Sequence, residues 1–205
     1  MKRTLCLMRF LTMVAGLALV MQSGCGKNMV SGKRADEHGQ AAGALVQPIN
    51  DSVAAGGEVL LVHLQGDNPV LRAWIQVLEG ELDDRFTLSE FGPSEISEDA
   101  RTSYSGSAPV LEGLKANPDC VAIISTLSME RQDLRDLPTD LPPVFALEWA
   151  FPDAAAPLLQ NGVVHAGVFE FYPSMYPNVT PDPGDLIAGK YLLLDRQTIR
   201  PFLRR

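Results

Sequence analysis

Three short apolar runs constrain this chain more than anything else in it: EVLLVHL at Glu58–Leu64, CVAII at Cys120–Ile124 and VFALEW at Val144–Trp149. None of them alternates apolar with polar residues. Runs of this kind suit strands buried on both faces, as in the middle of a parallel sheet. After the first run, Leu71, Trp74, Ile75, Leu78 and Leu82 recur at spacings of three and four, the stripe of an amphipathic helix. Pro69 falls in its first turn, where the missing N–H has no helical partner to lose.

The remaining segments keep the same rhythm. Arg85–Phe91 (RFTLSEF) alternates as a second strand. Ser107 to Ala116 predicts a helix, capped by Ser107 and stopped by Asn117-Pro118. A short charged helix is expected over Met129–Leu134. Another runs through Leu159, with Asp153 as its cap and Gly162 as its stop. Val163–Tyr172 supplies a fifth strand and Tyr191–Leu194 a sixth. Strands alternating with helices imply βαβ units and a sheet covered on both faces. The expected fold class is therefore α/β: a single three-layer domain over residues 58–205 with a mostly parallel sheet, long enough to bury about two-thirds of its unfolded surface.

The start of the chain reads differently. Lys2, Arg3 and Arg9 precede an apolar stretch, Phe10–Met21, and the first 24 residues contain no acid. A basic head, about a dozen apolar residues and a small-residue exit match a secretory signal peptide, and the run falls short of the about 20 residues a spanning helix needs. Ser23-Gly24-Cys25 resembles the lipobox of bacterial lipoproteins, with Gln22 standing where an aliphatic is usual. The resemblance implies cleavage after residue 24 and acylation of Cys25, with fatty chains such as palmitate holding the protein to a membrane. Gly26 rather than Asp after that cysteine favours the outer membrane, again by resemblance. Residues 25–57 are rich in small and polar types and are expected to form the lipidated start and a flexible tether reaching roughly 30 Å.

Loss of residues 1–24 removes three of the 17 basic groups and none of the 25 acidic ones, leaving 14 against 25, a formal charge of −11. Nucleic acid is not an expected partner, because its binding rests on Lys and Arg neutralising phosphates. Of the three cysteines, Cys6 leaves with the signal and Cys25 is acylated, so Cys120 remains alone in an apolar run and is expected in the core. No cofactor or metal is implied, since HExxH, CxxC, Walker and G-x-S-x-G patterns are all missing.

In parallel sheets ligands bind beyond the carboxyl ends of the strands. Those positions hold Gln65, Asp67 and Asn68, then Ser125 and Thr126, then Glu148 and Trp149, then Glu170 and Tyr172. GDNPVLRAWIQVLEG, LKANPDCVAIIST and PPVFALEW together resemble the opening of type I periplasmic binding proteins, with weaker likeness in LLQNGVVHAGVFEFYP and YLLLDRQTI. Those receptors are two-lobed, and this domain is about half as long. The resemblance implies a single lobe facing the periplasm and, at Asn68, a ligand contact. Asp67, Ser125, Glu148 and Glu170 join it by position as candidates for holding a small polar, sugar-like solute. A structural lipoprotein that meets another envelope protein is the alternative. An enzyme using Glu148 and Glu170 as paired carboxylates ranks third. The segment 173–184, with four prolines, reads as a stiff loop or as a lid over the strand ends.

Overall fold

The computed structural model describes residues 35–102, 106–131, 133 and 137–203; the expected signal sequence and Cys25 lie outside them. One compact unit comprises Glu37–Arg205. Its sheet has seven strands: β1 (Gly57–Val62), β2 (Phe86–Phe91), β3 (Cys120–Ser125), β4 (Val144–Trp149), β5 (Val164–Glu170), β6 (Leu186–Ile187) and β7 (Tyr191–Asp195). They lie in the order β2-β1-β3-β4-β5-β7-β6. The first five are mutually parallel, and β7 then turns back antiparallel to β5 and pairs with the two-residue β6.

Helices cover both faces. Helix α1 (residues 35–52) and α2 (Pro69–Glu81) pack on Val59 and Leu61 of β1, Ile124 of β3, and Phe145 and Leu147 of β4. On the opposite face α3 (Glu98–Thr102), α4 (Ser107–Ala116) and α5 (Pro152–Gln160) cover Leu60, Ile123, Ala146, Trp149 and Phe169. The three-layer α/β architecture with a mostly parallel sheet is the one the apolar runs predict. Cys120 is buried, and burial pushes its thiol up to about 11. About one molecule in 10⁴ then carries a thiolate there at neutral pH.

The tether expected over 26–57 is corrected from residue 35 onward. Ala41, Ala42, Leu45, Val46, Ile49 and Val53 recur at helical spacing and are at most 8% exposed. The small residues that read as flexibility instead let two helices approach. A Cβ on Gly39 would sit 3.1 Å from the Val77 side chain, and one on Gly43 would sit 3.1 Å from Glu81 Oε2 and 3.3 Å from Val77. Caps also moved by one or two positions. Gly106 rather than Ser107 precedes α4, and Phe151 rather than Asp153 precedes α5. At Met129–Leu134 the described residues form only a short 3-10 turn in place of the expected helix.

Candidate functional site

Strands β1, β3, β4 and β5 are neighbours and parallel, so the segments that follow them share one edge of the sheet. All the expected strand-end residues therefore lie along one edge, but their side chains do not converge. Asn68 caps α2: its Oδ1 accepts from the N–H groups of Val70 and Leu71 at 2.9 and 3.0 Å, and its amide donates to Gln65 at 2.9 Å. Asp67 is exposed and pairs with Arg72 at 3.0 Å. Ser125 is fully buried and bonds the backbone of Leu127. Glu170 accepts a hydrogen bond from Tyr172. Just past β1, His63 is buried, with its Nε2 lacking a hydrogen-bond partner and 3.5 Å from the Glu90 carboxylate.

Glu148 is the unusual member. Its φ of +57° lies in the left-handed region, which non-glycine residues seldom occupy. The register between β4 and β5 slips at the same point, between Leu147 and Trp149. A bulge of this kind re-aims one side chain. Leu147 packs under α1 and α2 and Trp149 on the opposite face, and Glu148 between them joins the α1/α2 side. There its carboxylate accepts from three elements at once. Nδ1–H of His38 (α1) donates to both oxygens at 2.7 and 2.8 Å, Nε1–H of Trp74 (α2) to Oε1 at 2.9 Å, and the hydroxyl of Tyr191 (β7) to Oε2 at 3.1 Å. A carboxylate can only accept, which places the His38 proton on Nδ1.

Neighbouring groups extend this cluster. Lys190 reaches Glu37 at 3.5 Å and stands 4.5 Å over the Tyr191 ring. Burial, then the negative charges of Glu148, Glu170 and Glu37, raises the Tyr191 phenol far above its ordinary value. The unfolded chain releases that proton near pH 10 and the folded chain does not, so the stability from this group is whole below pH 10 and falls above it. Urea midpoints measured from pH 8 to pH 11 are expected to drop more steeply for the native protein than for Tyr191→Phe.

The open part of the edge lies beyond β4 and β5. A cleft of about 630 Å³ is bounded by Asp153 at the start of α5, by Met175–Val179 and by Pro201–Leu203. Tyr176 donates to Asp153 at 2.7 Å, and its ring meets Phe171 and Phe202. Part of the proline-rich loop is thus one wall of this cleft. Asp153 reads in sequence only as a helix cap, and Tyr176 only as part of the loop or lid over 173–184, neither as a named ligand contact. His38, Trp74 and Tyr191 were likewise placed in tether, helix stripe and strand.

No family model matches the chain, and no curated protein matches its sequence. Solved structures do match its fold. A sugar-binding protein of a sugar ABC transporter from Bacillus halodurans aligns with a TM-score of 0.53 at 8% identity, over 80% of this chain and 64% of that one. An arabinose binding protein from Geobacillus stearothermophilus gives 0.53 at 9%, over 82% and 63%. A sugar ABC transporter protein from Actinomyces odontolyticus gives 0.53 at 15%, over 80% and 62%. The fold is periplasmic-binding-protein-like. The chain spans less than two-thirds of the length of each of these proteins.

Proposed function

We propose that this chain is a non-catalytic, lipid-anchored protein of the bacterial envelope that holds a small polar, sugar-like solute at the carboxyl edge of its sheet. In this reading residues 1–24 are a signal peptide, Cys25 carries the lipid, and the domain faces the periplasm, with the outer membrane as its weakly favoured home. One observation carries the solute: the cleft beyond β4 and β5 sets a carboxylate and a phenol, Asp153 and Tyr176, beside aromatic faces. Hydroxyl-rich molecules are recognised by such mixtures. It lies at the strand ends of a fold shared with sugar-binding proteins. Asp67, Glu170 and the second amide N–H of Asn68 remain contacts available from the same edge. Ser125 and Glu148 are turned inward, and their role is to hold the edge in shape.

Thermal melting of the processed chain carrying Cys25→Ser, against panels of sugars, amino acids and nucleosides, tests the reading. A ligand at a hundred times its Kd stabilises the native state by about 2.7 kcal/mol, which raises Tm by roughly 5–10 °C in a domain of this size. Tyr176→Phe is expected to shrink the shift. A native chain that responds to no compound, yet captures a stoichiometric envelope protein, would favour the interaction-protein alternative.

A further inference from the structure

We propose that the carboxyl edge of the sheet is the face turned toward the bilayer, where its exposed apolar side chains rest against lipid. The inference rests on the anchor at Cys25 proposed above, and on the described start of α1, which lies at this edge. His38, near the described start of α1, bonds Glu148 at the carboxyl end of β4, and Glu37 pairs with Lys190, which precedes the strand partner of Glu170. The far end of α1 lies at the other edge, where Asn50 and the adjoining Ala54 accept from Arg85 just before β2. Nine residues, 26–34, separate Cys25 from the described start of α1. However they are arranged, they span at most about 30 Å. The amino edge is a further ~20 Å away along six-residue strands. Bringing that edge to the lipid would use about two-thirds of that reach merely to pass the sheet, whereas the carboxyl edge needs none of it.

The second support is chemical. Among the described residues five large apolar side chains are exposed, and four of them follow the carboxyl ends of parallel strands. They are Leu64 after β1 (40%), Phe151 after β4 (48%), and Tyr172 and Met175 after β5 (37% and 51%). Tyrosine favours the membrane–water interface, and the apolar surface of Leu64, Phe151 and Met175 is removed from water where it meets lipid. Asp67 and Glu170 on the same edge, the former paired with Arg72, give it mixed charge, which points to zwitterionic rather than anionic lipid.

The test uses the natively lipidated protein in vesicles of phosphatidylethanolamine and phosphatidylcholine. One fluorophore is placed through Ser174→Cys on the carboxyl edge and another, separately, through Asn161→Cys on the amino edge; the buried Cys120 stays unlabelled. Brominated lipid is expected to quench the probe at 174 at least twofold and the probe at 161 hardly at all. The triple variant Phe151→Ser, Tyr172→Ser, Met175→Ser should lose most of that quenching while still floating with the vesicles. Equal quenching at both positions, or stronger quenching at 161, overturns the inference and leaves the anchor standing. A probe at 174 shielded from aqueous iodide but unreached by bromolipid also overturns it and points to a second copy on this edge. Protein that does not float with the vesicles overturns the anchor, and this inference with it.

Discussion

Glu148→Ala is expected to cost about 3–5 kcal/mol of folding stability, the range for removing one partner from a buried charged network. The substitution leaves the His38 and Trp74 N–H groups and the Tyr191 hydroxyl facing a vacancy where the carboxylate stood. The side chains of Glu148 and His38 are only 13% and 16% exposed, so water can replace the lost acceptor only in part. Against a total stability of about 5–15 kcal/mol for a domain, this is a large fraction. The substitutions at this position should also fall in a definite order. Glu148→Gln keeps an acceptor oxygen for Trp74 and His38, while the Tyr191 hydroxyl can rotate to accept from its amide, so it is expected to be the mildest. Glu148→Gly loses the network but relieves the left-handed backbone, which costs a non-glycine residue roughly 1–2 kcal/mol. It should therefore lie between the glutamine and alanine variants. Urea midpoints of the four proteins measure the order. An alanine variant as stable as the native chain would show that the network holds nothing together.

The second large effect concerns α1. Deleting residues 35–52 is expected to abolish cooperative folding, although composition alone marks that stretch as dispensable. Leu45, Val46 and Ile49 are at most 8% exposed, and burying each such side chain stabilises by about 1.5–3 kcal/mol. Together with the lost His38–Glu148 bond, the deletion removes an amount comparable with the whole stability of a domain. Leu45→Ala alone is expected to cost about 2–5 kcal/mol. Circular dichroism melts and gel filtration decide the matter. A shortened chain that melts cooperatively at the native temperature would make α1 an ornament.

That contrast shows what could be read in advance. Strands β1, β3 and β4 announce themselves because burial on both faces demands unbroken apolar runs, and α2 because one buried stripe demands its period. In α1 and just past it the period is present, at Ala41-Ala42, Leu45-Val46, Ile49 and Val53, but a third of it is written in alanine. Alanine contributes little apolar area and looks like linker. Glycine at 39 and 43 deepens the disguise, because close approach to α2 and flexibility call for the same residue. The edge positions Asp67, Asn68, Ser125, Glu148 and Glu170 were foreseeable from where strands end. Their partners were not. The direction of Glu148 depends on a bulge that no spacing encodes, and the pairing of Asp153 with Tyr176 depends on how a loop folds back on α5.

The lock at Glu148 also sets a timetable. His38 lies 110 residues before its acceptor, and the Tyr191 hydroxyl that completes the grip comes 153 residues after that histidine. Helix α1 can thus be fastened to β4 once residue 148 is made, and β7, among the latest-made strands, adds the last hydroxyl. The complete set of bonds to that carboxylate therefore closes only near the end of synthesis.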